Sequence, residues 1–110
     1  MPFLNLKDLK EIEPVSGFKA RFVHTDHMTM AYWTVTAGAT LPQHAHPHEQ
    51  ITSVLEGEFE MTVGSETKTI TAGQVAVISG NVTHSAKALT ACRIVDAFYP
   101  AREDYRNAAR

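Results

Sequence analysis

The period of the apolar residues constrains this chain most. From Glu58 to Val63 it alternates Glu-Phe-Glu-Met-Thr-Val, which puts Phe59, Met61 and Val63 on one face of an extended strand and Glu58, Glu60 and Thr62 on the other. Gly64-Ser65 joins that run to Glu66–Thr71, a hairpin signal. Phe18–Asp26 alternates charged with apolar residues. Met28–Thr36 is rich in β-branched and aromatic ones, and His27 between the two runs makes a second hairpin plausible. Ile51–Leu55, Gln74–Ile78, Thr83–Leu89 and Arg93–Tyr99 read as further strands, with turns at Ala37-Gly38-Ala39, Glu56-Gly57 and Ala72-Gly73. About nine short strands, with a turn signal roughly every eight to twelve residues, predict an all-β sandwich or barrel. Outside them, Leu6, Leu9 and Ile12 in Asn5–Glu13 predict a short helical turn or loop stopped by Pro14, and Arg102–Arg110 predicts one polar helical turn or a frayed end.

A chain of 110 residues has the size of one domain, expected over 1–110 with the barrel at about 18–100. Ten basic residues stand against twelve acidic ones with no basic stripe, so nucleic acid is not an expected partner. No apolar run approaches the length of about 18 residues that spans a membrane. Met1–Lys10 lacks the apolar centre of a secretory signal, and the single cysteine, Cys92, excludes an intramolecular disulfide framework and a multi-cysteine zinc site. A cytoplasmic location is expected. The absence of a fused DNA-binding segment weakens the expectation of a regulatory role.

Three of the six histidines, His44, His46 and His48, fall within five positions in mid-chain. Residues i and i+2 of a strand share a face, so His44 and His46 are expected to project together, close enough for two imidazoles to share an ion. Further ligands must come from elsewhere: Gln50 and Glu49 lie just past Pro47, and His84 on a later strand. His48 has the parity of the pair, but Pro47 intervenes, and a surface or supporting role is expected. Isolated His24 and His27 are expected to bind no metal.

These residues resemble a known family. Gly38-x5-His44-x-His46-x3-Gln50-x6-Gly57 is similar to the first motif of the cupin superfamily, and Gly73 to His84 resembles the second. The short gap between them, Glu58 to Ala72, is like that of the minimal single-domain cupins. The resemblance implies a small antiparallel double-stranded β-helix, or jelly-roll barrel, holding one divalent transition metal (zinc, nickel, manganese, iron or copper) through His44, His46, Gln50 and His84. The chain departs from the pattern at Ser79, where proline is usual, at Asn81, where glycine is usual, and at Gln50, where an acid is usual. Asn81 still tolerates a left-handed backbone. Three neutral imidazoles and a neutral amide would leave the full charge on the ion and favour anionic ligands.

At the C-terminal end Asp96 and Phe98 share one strand face, against Val95, Ala97 and Tyr99 on the other, and an acid on the inward face of a barrel is costly unless paired or functional. Asp96-x-Phe98-x-Pro100-x-Arg102-Glu103-Asp104-Tyr105 is similar to the ending of the pectin-degradation cupins, which open the ring of 4,5-unsaturated uronates. That resemblance implies a small anionic sugar acid or other organic acid as substrate, with Asp96, Phe98 and Arg102 as pocket residues: Asp96 an acid or base, Phe98 a wall, Arg102 a fork for a carboxylate. The competing expectations are a metal-dependent oxygenase or isomerase acting on another small acid, and a ligand-binding module without catalysis. A homodimer is expected, with the N-terminal strand contributing, because a small open barrel has edges to cover.

Overall fold

The structure, a computed structural model, describes residues 2–109; Met1 and Arg110, the ends of two segments read above, lie outside the described residues. Among the described residues ten strands form two antiparallel sheets: β1 (Ile12–Val15), β2 (Phe18–His24), β3 (Thr29–Val35), β4 (Thr40–His44), β5 (Glu49–Glu56), β6 (Phe59–Val63), β7 (Glu66–Ile70), β8 (Val75–Ile78), β9 (His84–Ala88) and β10 (Cys92–Tyr99). The larger sheet has the order β1-β2-β3-β10-β5-β8 and the smaller the order β4-β9-β6-β7. A 3-10 turn (Leu6–Asp8) precedes β1, and one short helix, α1 (Glu103–Ala108), follows β10. This is the all-β, two-sheet architecture that the sequence predicts.

The alternation argument fixes which faces meet. Phe59 and Met61 of β6 point inward, as do Phe18, Ala20 and Phe22 of β2, Ala31, Trp33 and Val35 of β3, and Ile94 and Phe98 of β10. Phe18, Trp33, Phe22 and Phe59 pack edge to face, with centroid separations of 5.8–6.4 Å. Each large side chain so buried contributes roughly 1.5–3 kcal/mol. Both predicted hairpins form, Phe18 pairing with Val35 in one and Val63 with Glu66 in the other.

Two local expectations are corrected. Pro14 is not what ends the N-terminal turn, which stops at Asp8; the proline lies inside β1, an edge strand that among the described residues pairs with β2 alone, a place where proline is tolerated. And His44 and His46 are not on one strand. β4 ends at His44 after an irregular register, and His46 stands in the loop that Pro47 turns into β5.

Candidate metal centre

The inner faces of the two sheets meet at one end of the barrel, and the histidines gather there. His44 on β4 is directly opposite His84 on β9, which brings their rings to 4.2 Å. His46 reaches them from its loop, 5.6 Å from His44 and 4.9 Å from His84. That loop is braced by the turn before β9. The Asn81 N–H donates to the His46 carbonyl at 2.7 Å, and Gly80 lies so close to Pro47 that a Cβ there would sit 2.5 Å from its carbonyl oxygen. Asn81 does adopt a left-handed φ of 65°.

One nitrogen from each of His44, His46 and His84 lies within 4.8 Å of the others, so the three could hold a metal ion. Their hydrogen bonds show which nitrogen is free. Each Nδ1 faces a backbone carbonyl: His44 that of Pro42 at 2.8 Å, His46 that of His48 at 3.1 Å, His84 that of Val82 at 2.9 Å. A carbonyl only accepts, so each Nδ1 carries a proton and the neutral ring presents a bare Nε2, the orientation usual for metal-bound imidazole. The Nε2 of His84 is buried without a partner. Burial lowers the pKa of both His46 and His84, keeping them neutral, with Arg102 adding to the effect. An unpartnered buried nitrogen among three converging imidazoles fits a divalent transition metal. His48 stands outside this trio, its ring 5.4 Å from that of His46.

Opposite the histidines lies a polar row on the larger sheet. On β5, Gln50 is 6% exposed and Thr52 is buried, whereas Glu49 between the loop and Gln50 faces solvent. Gln50 Oε1 is 3.0 Å from His46 Nε2. On β10, Phe98 pairs with Gln50 and Asp96 with Thr52. Asp96, 8% exposed, accepts from Thr52 Oγ1 at 2.6 Å and from Trp33 Nε1 at 2.9 Å. Burial pushes its pKa from 3.8 to about 6 against the opposing pull of Thr52, Gln50, Trp33 and Arg102.

Arg102 closes the mouth. α1 folds back because Tyr105 stacks on Phe22 at 4.5 Å and the Arg102 N–H donates to Thr29 Oγ1. The guanidinium is 4.7 Å above the Phe98 ring and 4.1 Å from that of Tyr105, and its Nε and Nη2 donate to the two carboxylate oxygens of Asp104. All seven residues singled out in the sequence, His44, His46, Gln50, His84, Asp96, Phe98 and Arg102, line one cavity of about 50 Å³. Sequence reasoning missed Trp33, Thr52 and Tyr105, which line it too. Thr52 was findable, two residues from Gln50 on the same strand face; Trp33 and Tyr105 carried no chemical motif.

A cupin-domain family model matches residues 31–98. An RmlC-like cupin from Shewanella frigidimarina NCIMB 400 superposes with a TM-score of 0.90 at 29% identity, over 96% of each chain. KdgF from Halomonas sp. superposes at 0.88 and 25% identity, over 96% of this chain and 98% of its own. The HTH-type transcriptional regulator PuuR of Escherichia coli K12 is 31% identical over 104 residues, 88% of this chain but 56% of the regulator, so the chain spans about half the length of that relative. With the family match covering β3 to β10 and two whole-chain structural likenesses, the chain belongs to the cupin family.

Proposed function

We propose that this cupin opens the ring of 4,5-unsaturated uronates, with His44, His46, Gln50 and His84 holding a divalent metal and Asp96 moving the protons. The observation that carries this is Asp96: a carboxyl at the cavity wall with a pKa of about 6, fit to give and take a proton near neutral pH. The substrate is a cyclic hemiacetal whose ring oxygen is also that of an enol ether. Opening removes the proton of the C1 hydroxyl, breaks the bond between C1 and the ring oxygen, and delivers that proton to C4 of the resulting enolate. The product is a linear keto aldehyde, and no outside reagent is consumed. Asp96 takes the first proton and returns it to carbon. Thr52 and Trp33 donate to its two oxygens and hold the carboxyl in place.

When bound, the metal supplies a Lewis acid for the substrate's oxygens. Arg102 recognises the uronate carboxylate by exchanging Asp104 for it, since Asp104 lies more than half in solvent and Arg102 is buried. Phe98, 5.8 Å from the His46 ring, walls the sugar face. Metal-loaded protein should speed the loss of the substrate's enol-ether absorbance. Bound metal with no acceleration would reject the activity.

A second reading has one observation behind it, the likeness to a transcriptional regulator. A ligand-binding domain of that kind would bind a small acid in the same cavity without turning it over, and Asp96→Ala would then retain affinity.

A further inference from the structure

Gln50 and His46 present a contradiction that the surrounding network resolves. In the neutral His46 ring Nδ1 donates to the His48 carbonyl, which leaves Nε2 with no proton to give. Gln50 Oε1, which also only accepts, nonetheless faces that nitrogen at 3.0 Å. Two lone pairs at that distance repel unless a cation sits beside both. Turning the amide over would put its NH2 toward His46 and relieve the repulsion. What prevents the turn lies on the other side. Gln50 Nε2 donates to Thr52 Oγ1 at 3.0 Å, and Thr52 gives its only proton to Asp96 Oδ1 at 2.6 Å. Asp96 is in turn fixed through Oδ2 by the indole N–H of Trp33. A hydroxyl whose proton is already given to a carboxylate can only accept from the amide. The directions therefore run one way, through Gln50, Thr52, Asp96 and Trp33, all of them buried.

We propose that Thr52, backed by Asp96 and Trp33, is a positioning residue that sets which end of the Gln50 amide faces the histidines and so presents Oε1 to the ion. It rests on the metal reading above and not on the uronate chemistry. Toward the ion Thr52 acts only through Gln50, and its contact with Asp96 serves to fix the direction of that hydrogen bond. Thr52→Val keeps the shape and removes the hydroxyl, whereas Thr52→Ser keeps the hydroxyl.

The test is metal binding alone, by chelator competition with zinc and by the visible d–d spectrum of cobalt-loaded protein. Parent, Thr52→Val, Thr52→Ser and Gln50→Ala would be compared. Loss of an orienting partner typically costs about 10- to 100-fold in metal affinity. Thr52→Val should fall at least about tenfold and take on the cobalt spectrum of Gln50→Ala, while Thr52→Ser stays within about twofold of the parent. Should Thr52→Val fail to fold, Trp33→Phe, which lacks the N–H that fixes Asp96, should move affinity and spectrum the same way by a smaller factor. Unchanged affinity and spectrum in Thr52→Val, or equal loss in Thr52→Val and Thr52→Ser, would overturn the proposal. A parent without metal affinity would remove the metal reading itself, and a parent that binds metal but leaves uronates untouched would remove only the activity.

Discussion

Asp96 pays for its position with stability, and the sign of that cost is testable. Its pKa rises from 3.8 to about 6 on folding because burial disfavours the charge. Between those two values the native state holds a proton that the unfolded chain has lost. Stability therefore falls as pH rises through that window, and the full penalty, about 3 kcal/mol, stands above it. Asp96→Asn removes the penalty. The metal-free variant should melt above the metal-free parent at pH 8, the gap should close by about pH 4, and turnover of the uronate should be lost. A gap that does not change with pH would refute the assignment. His46 and His84 act in the opposite sense: their lowered pKa values add stability as pH rises toward 6.5, but they do so in both proteins and cancel in the difference. His84 carries a second expectation. Its Nε2 is the one nitrogen of the three candidate ligands that is buried without a partner, so a chelator should lower the melting temperature of the parent, while His84→Ala should bind zinc at least about 100-fold more weakly and lose that response. The inward acid and the histidine cluster were both legible in the sequence, because parity on a strand and spacing in a motif act over a few residues. The link from Gln50 through Thr52 to Asp96 and Trp33 was not, since it joins β5, β10 and β3 across 44 and 63 positions of chain.

At the level of elements, the strands were readable where one face is buried and the other wet, as in the β6–β7 and β2–β3 hairpins. Reading failed where pairing rather than pattern decides. β1 is a strand because β2 offers it an edge, and its Pro14 gave the opposite signal. The position of His46 is likewise set by contact and not by strand parity, through Asn81 and Gly80 in the turn ahead of β9. That turn is therefore a lever on the metal centre. Gly80→Ala puts a methyl group 2.5 Å from the Pro47 carbonyl and must push the loop that holds His46. Zinc affinity, measured by chelator competition, should fall about tenfold, in line with the loss of a positioning contact. Asn81→Gly, which suits the left-handed turn at least as well, should leave it unchanged.

For the whole molecule, the open question of assembly turns on the edges of the larger sheet. The edge expected to pair was the N-terminal one, but β1 carries Pro14 and Glu13, two features that discourage strand addition. The opposite edge, β8, reads Val-Ala-Val-Ile and has no charge or proline to protect it. Its outward Val75 and Val77 are 55% and 70% exposed, and exposed Ile51 on β5 pairs with Val77, with exposed Tyr99 of β10 lining the same surface hollow. Two copies related by a two-fold axis could pair β8 antiparallel with its own mate, extend both sheets and cover that apolar stripe, an arrangement whose complementarity to itself needs no second kind of surface. A homodimer built this way should appear as twice the chain mass in size exclusion with light scattering. Val77→Lys, at a position that contributes nothing to the core, should run as a monomer while keeping the metal-free melting curve of a folded barrel. A dimer that survives Val77→Lys would move the interface elsewhere, and a parent that stays monomeric at every concentration would mean that the stripe is left open to solvent or reserved for a different protein.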